Sequence, residues 1–142
     1  IMSTKWIYGL LIMLLFACDD KEVGFLDISR AEYSPNFMEI PKYEDIDPIV
    51  ESQRLELGTP WVTLQMQGVL GTNPITFSIE DVKASEGGNA ELFKAELEII
   101  GGGTMYYPIK PQAPAGKYVV SVRLTNEGYS KVLEDAYTFV VK

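Results

Sequence analysis

Pro114-Ala115-Gly116-Lys117-Tyr118-Val119-Val120-Ser121-Val122-Arg123-Leu124 carries the strongest strand signal in the chain. A Pro-Ala-Gly turn opens it, and strict alternation follows. Tyr118, Val120, Val122 and Leu124 point one way, while Val119, Ser121 and Arg123 point the other. That period of two belongs to a strand with one buried face. Asn126-Glu127-Gly128 then turns the chain, and Tyr137, Phe139 and Val141 close it in a last strand with Val140 on the opposite face.

Working outward, Met105, Tyr107 and Ile109 alternate in a further strand, preceded by the turn Gly101-Gly102-Gly103. Leu97, Ile99 and Ile100 read as strand. Ala90 to Leu97 is the one good helical stretch: Asn89 is its N-cap, and Leu92, Phe93 and Leu97 share a face. About two turns cannot stand alone in water, so this helix must pack on a sheet. Before it, Ile75, Phe77 and Ile79 alternate with Thr76, Ser78 and Glu80, after the turn Gly71-Thr72-Asn73-Pro74. Val82 falls out of phase, as a β-bulge requires. In Trp61 to Gln67 the alternation places Val62, Leu64 and Met66 inward, and Trp61, Thr63, Gln65 and Gln67 outward.

The leading part is less regular. Phe25, Leu26 and Ile28, then Ala31 and Tyr33, then Met38 and Ile40 suggest two short strands broken at Pro35, a break tolerable at a sheet edge. Residues 41–60 are punctuated by Pro41, Pro48 and Pro60. There Leu55 and Leu57 suggest a short strand, with a helical turn over 49–56 as the alternative. Seven or more short strands with turn signals between them and hardly any helix predict an all-β, two-layer sandwich. The 114–141 segment resembles the penultimate and last strands of bacterial immunoglobulin-like and cadherin-like domains, where a glycine turn precedes a tyrosine and an alternating run. The resemblance implies an immunoglobulin-like sandwich of about seven strands with one short helix over residues 25–142.

The first residues read as a secretory signal. Lys5 supplies the positive end, and Trp6 to Phe16 form an uncharged run too short to span a bilayer as a helix. Leu15-Phe16-Ala17-Cys18 resembles the lipobox of bacterial lipoproteins, whose cysteine is acylated, with palmitate among its usual chains, and becomes the first residue. Cys18 is the only cysteine. The resemblance implies a signal peptide over 1–17, a lipidated tether over 18–24, and a membrane partnership through acylated Cys18. The following Asp19-Asp20-Lys21-Glu22 is similar to the acidic export signal of Bacteroidetes surface lipoproteins, and serves equally as a solvated tether. Anchor, acidic run and sandwich pattern together resemble small surface lipoproteins of Bacteroidetes, including accessory proteins of polysaccharide-uptake systems. That likeness implies an outer-membrane, surface-exposed location and, as partners, a polysaccharide or an outer-membrane transporter complex.

Composition narrows the chemistry. The chain has a formal charge of −8, and losing residues 1–17 removes only Lys5. Such an acidic balance argues against nucleic acid, which needs clustered Lys and Arg, and suits an extracellular face or neutral sugars. With no histidine, the commonest general base and metal ligand is missing, and with Cys18 committed to the anchor no Cys/His zinc site can form. Gly101-Gly102-Gly103-Thr104 lacks the lysine of a phosphate loop. The carboxylate pairs Glu80-Asp81 and Glu134-Asp135 and the Glu44–Asp47 cluster are the remaining catalytic candidates. Neighbours on a regular strand face opposite sides, so neither dipeptide is expected to present both groups to one substrate. The expectation is therefore a non-enzymatic domain with no catalytic residues and no cofactor. Glu44, Asp45 and Asp47 in their Pro-bounded loop are a weak calcium candidate against the simpler reading of a solvated loop. Trp61, Tyr106, Tyr129 and Tyr43 are the candidate ligand contacts, since a sugar's apolar face stacks on exposed aromatic rings. The function expected is a lipid-anchored surface module binding a glycan, or alternatively a structural or adhesive subunit of an outer-membrane complex joined through a sheet edge.

Overall fold

A computed structural model describes residues 24–142. The signal peptide, the lipobox with Cys18 and the acidic run lie outside the described residues. In order, the elements are β1 (Leu26–Asp27), β2 (Phe37–Ile40), α1 (Ser52–Leu57), β3 (Trp61–Val62), β4 (Leu70–Gly71), β5 (Thr76–Ala84), α2 (Ala90–Glu96), β6 (Glu98–Ile100), β7 (Thr104–Tyr107), β8 (Gly116–Asn126) and β9 (Tyr129–Val141).

The strands form an all-β sandwich. Its larger sheet has the order β2-β9-β8-β5, and its smaller one β3-β7-β6, with β1 and β4 pairing as a separate ribbon. The only parallel pairing among the described residues joins β2 to β9, from Phe37 opposite Thr138 to Ile40 opposite Val141. The alternation read from β8 holds on its inner face, where Tyr118, Val120, Val122 and Leu124 are all fully buried. Tyr137, Phe139 and Val141 of β9 pack on the same side. Met105 and Tyr107 supply the facing layer from β7.

Phe93 of α2 fills the space between the sheets. Its ring stacks on Tyr118 at 4.3 Å between centroids and on Tyr107 at 4.5 Å, with Phe139 at 5.3 Å. A two-turn helix gains its stability from this packing, because burying an aromatic ring removes a large apolar area from water. Asn89 caps the helix as read: its side chain accepts a hydrogen bond from Leu92 N at 3.1 Å.

Tyr118 also has a polar duty. Its hydroxyl donates to Pro114 O at 2.6 Å, four residues upstream, and accepts from Asn89 N at 3.1 Å. The first contact has the geometry of the tyrosine corner of immunoglobulin-like domains, in which a tyrosine near the start of the penultimate strand ties back to the preceding turn. One side chain thus fixes the turn into β8, the start of α2 and the centre of the core. A second tyrosine pin lies at the other glycine turn. Tyr33 Oη donates to Gly103 O at 2.6 Å in a buried contact. Gly103 has φ +94°, and a Cβ there would stand 3.0 Å from that hydroxyl, so the position needs glycine on both counts.

The bulge expected at Val82 is present: Ile79 pairs with Val122 and Asp81 with Ser121, leaving Glu80 as the extra residue. A second irregularity faces it from the other side of β8. Val120 pairs with Tyr137 but Val122 with Leu133, and Asp135 there takes φ 50°. Both flanking strands therefore bulge at the level of Ser121. Its hydroxyl, buried rather than outward as alternation suggests, accepts from Asp135 N at 3.0 Å.

Two expectations need correction, while the nine strands among the described residues meet the expected seven or more, several of them being two-residue pairings. Beside α2 stand a second α-helix over residues 52–57 and the single helical turn Tyr43–Asp45. The short strand suggested by Leu55 and Leu57 is thus replaced by the helical alternative. Asp47 Oδ1 accepts from Ile49 N at 2.8 Å and Val50 N at 3.3 Å, turning the chain before α1, and Gly58 at φ +66° ends it. The inward phase of Val62 and Leu64 is also overturned. Val62 is 41% and Leu64 60% exposed, while Thr63 is buried. Thr63 bonds with Met105 twice, N to O at 3.0 Å and Oγ1 from Met105 N at 2.9 Å, and this side-chain bond replaces the ladder a regular strand would continue. Met66 is buried as expected.

Candidate functional site

The four candidate aromatics do not come together. Trp61 pairs with Tyr107 and Val62 with Tyr106, so Trp61 faces inward and Tyr106 outward on the small sheet. Trp61 packs on the core, and the Arg54 guanidinium covers its ring 4.3 Å from the centroid. Its ring N–H is enclosed without a hydrogen-bond partner among the described residues, so it is not offered to a ligand. Arg54 is itself held by Glu51 at 2.9 Å and by the carbonyls of Thr59 and Pro60. Tyr129 starts β9 and leans on the core, whereas Tyr43 lies beside Val141 at the far end of that strand. Twelve steps of about 3.3 Å keep those two rings well apart. Trp61 is therefore a packing residue, and a shared aromatic platform is absent among the described residues.

The carboxylate pairs meet a different fate. Glu80, Asp81 and Glu134 line one pocket of about 360 Å³ with Lys83, Ser121 and Val132. The expectation that Glu80 and Asp81 diverge fails because the bulge breaks the alternation between them. Two of the pocket's four charged side chains, Glu80 and Lys83, are engaged in ion pairs. Arg123 grips Glu80 through two bonds of 2.7 and 2.9 Å and reaches Ser130 Oγ at 2.7 Å. Those bonds hold the Glu80 carboxyl below its ordinary range. Lys83 meets Asp135 at 3.2 Å, and that contact raises the lysine's proton affinity. A general acid at neutral pH needs a raised pKa, so Glu80 is placed for structure and not for proton donation.

Glu44, Asp45 and Asp47 do not converge as a calcium site. Asp47 uses its carboxylate on backbone N–H groups, and no group of three metal-ligating side chains forms among the described residues.

Tyr43 lines a cleft. It sits in the single-turn helix Tyr43–Asp45 and is partly buried. The cleft, about 380 Å³, is walled by Pro41, Pro111, Ala113 and Val141 and carries Lys42, Lys110 and Lys142. Lys110 Nζ lies 4.1 Å above the Tyr43 ring, a cation–π contact. The loop bearing Lys110 is held from below by Glu96, whose carboxylate accepts from Gln112 N at 2.8 Å and Ala113 N at 2.9 Å. Tyr107 Oη donates to the same carboxylate at 3.4 Å, which ties the cleft floor to the aromatic core. The other wall is fixed by the β2–β9 pairing, continued by Lys142 N on Ile40 O at 2.9 Å.

Sequence reasoning named Tyr43 but missed the lysines and Glu96. Their sole signal is the repeated placing of lysine beside proline, in Pro41-Lys42-Tyr43 and Lys110-Pro111. The parallel pairing of β2 with β9 brings the first beside Lys142, and Glu96 holds the loop that carries the second. No protein-family model, curated protein or solved structure matches the chain, so the chemistry of these surfaces carries the functional reading.

Proposed function

We propose that the protein is a lipid-anchored, non-enzymatic binding module of the bacterial outer-membrane surface whose ligand is a glycan. The observation that carries this reading is the Tyr43 cleft. It offers a partly buried aromatic ring, proline walls and lysine ammonium groups in a volume within the range of small-ligand sites. Sugar rings bind through that combination, their C–H faces on apolar surface and their hydroxyls on polar groups. Cys18 is the proposed point of acylation, holding the domain at the membrane through several chains. The test is affinity electrophoresis of the full chain, in non-ionic detergent, through gels containing a panel of polysaccharides. Retardation by at least one polymer, weakened by Tyr43→Ala, is expected; free migration through all of them would sink the glycan reading. Incorporation of labelled palmitate, lost in Cys18→Ser, tests the anchor separately.

A second reading, a structural subunit docking a protein of an outer-membrane complex, has one observation in its favour. Ile49, Val50 and Leu57 are 86%, 75% and 76% exposed, and Val50 and Leu57 line one groove beside α1. Val62 and Ile100 add exposed apolar surface on the small sheet. Crosslinking in intact cells to a transporter component, without carbohydrate affinity, would favour it.

A further inference from the structure

We infer that the Tyr43 cleft selects an anionic sugar, a uronic acid or a sulfated residue, over a neutral one. The inference rests on the glycan reading and adds the charge of the ligand. Three lysines, Lys42, Lys110 and Lys142, line a single cleft in a chain whose acidic residues outnumber its basic ones by 20 to 12. Glu44 is the only acidic residue on the lining. Lys142 stands 3.8 Å from Glu39, with both side chains more than half exposed. Neither Lys42 nor Lys110 has a carboxylate within salt-bridge distance among the described residues. Three carboxylates stand near these lysines, Glu44 on the lining, Glu39 beside Lys142 and Glu96 beneath the 110–113 loop, so the preference rests on the ammonium groups of Lys42 and Lys110 and not on a net positive cleft.

Overall charge does not cancel that preference. At physiological ionic strength the screening length is about 8 Å, so a ligand in the cleft feels its own lysines and little of the acidic surface beyond. The partner must also match shape. Lys110 covers one face of the Tyr43 ring, and its flexible stem lets the ammonium swing onto an anionic substituent as a sugar takes that face. A uronic acid or sulfated sugar carries the complementary pair, an anionic substituent for the ammonium groups and a C–H face for the ring and prolines. A free phosphate or carboxylate matches the lysines but leaves Tyr43, Pro41 and Pro111 without a role. Glu96 supports the arrangement from beneath by fixing the 110–113 loop through two backbone N–H groups.

The test compares polymers that differ in charge alone. The full chain is run in non-ionic detergent through gels containing polygalacturonate or its methyl-esterified form, and dextran sulfate or dextran. Retardation by the charged member of a pair, weakening with added salt, is expected. Lys42→Ala combined with Lys110→Ala should weaken it by at least roughly tenfold, and Tyr43→Ala by several-fold, while Lys131→Ala at the far end of β9 leaves it unchanged. Equal or stronger retardation by the neutral members overturns the charge preference but leaves the glycan reading standing. An equal loss in Lys131→Ala shows diffuse electrostatics and overturns the site. Retardation by none of the four polymers overturns the inference; if the wider panel also fails, the glycan reading goes with it. Thermal melts of each variant separate lost binding from lost folding.

Discussion

Strands β8 and β9 and the segment 41–64 are built on opposite terms. In the strands, every alternate side chain from Tyr118 to Leu124 is fully buried and the backbone is paired throughout apart from the bulge. In the segment, α1 buries none of its residues, and Ile49, Val50, Leu57 and Leu64 are exposed. Its order comes from side chains acting on backbone: Asp47 on two N–H groups, Arg54 on two carbonyls, Thr63 on Met105. The difference teaches where stability resides. Hydrophobic burial holds the first region, and local hydrogen bonding sets the path of the second.

The largest expected effect sharpens the buried side of that contrast. Phe93→Ala removes the ring that touches both sheets, leaving a cavity between Tyr107 and Tyr118. It should destabilise the domain by about 3–5 kcal/mol, read as a lower midpoint in urea with little change in slope. A loss under about 1 kcal/mol would mean that the sheets close without α2. Tyr118→Phe keeps the stacking but strips the hydroxyl from Pro114 O and Asn89 N. It should cost about 1–2 kcal/mol, the range for leaving such partners unsatisfied. A neutral result would show that the corner is satisfied by water.

These two residues also show what was legible. Tyr118 and Phe93 were readable because burial imposes a period, two on the strand and nearly four on the helix, that survives in the residue order. The bulge was readable at Val82 because it displaces an apolar residue from that period. Its counterpart on β9 left no such mark, since Glu134 and Asp135 are polar in either phase. Val62 and Leu64 misled because alternation reports a pattern and not which face is covered; a threonine hydroxyl decided the matter. Tyr43 could be named as an aromatic, but its lysines, Lys42, Lys110 and Lys142, come from three segments far apart in the chain. No local pattern records a pairing of that range.

Charge on the outer face of the large sheet should matter less than either core change. Arg123 holds the Glu80 carboxyl below its ordinary value of 4.5. A carboxylate depressed on folding stabilises the native state above its unfolded pKa, and that stabilisation is lost as pH falls through the folded value. Asp27, depressed by hydrogen bonds from Ser29, acts in the same direction. Melting temperature should therefore fall as pH drops below about 4.5, and Glu80→Gln should flatten part of that fall. An unchanged acid limb in Glu80→Gln would assign no stabilising role to the exposed Arg123 pair, the usual result for ion pairs in water.

The smallest effect is the one that could break the comparison. Ile49→Ser and Leu57→Ser change large apolar residues that face solvent, at 86% and 76% exposure. If burial alone carries stability, each should move it by less than about 0.5 kcal/mol, although a sequence reader would class both as core. Melting of the isolated protein measures this directly. A loss of 2 kcal/mol or more would mean that these side chains are covered in solution, by a second copy or by another part of the chain. Dilution separates the two, because a partner's contribution falls with concentration and an internal contact's does not. A near-zero result carries weight as well. It leaves exposed apolar side chains beside α1 that contribute nothing to folding, the surface on which the protein-docking reading relies. Segment 41–64 would then join Tyr43 and Lys42, at its start, to the groove that Val50 and Leu57 line beside α1, at its middle. Both proposed binding surfaces thus draw on the region that hydrophobic burial holds least.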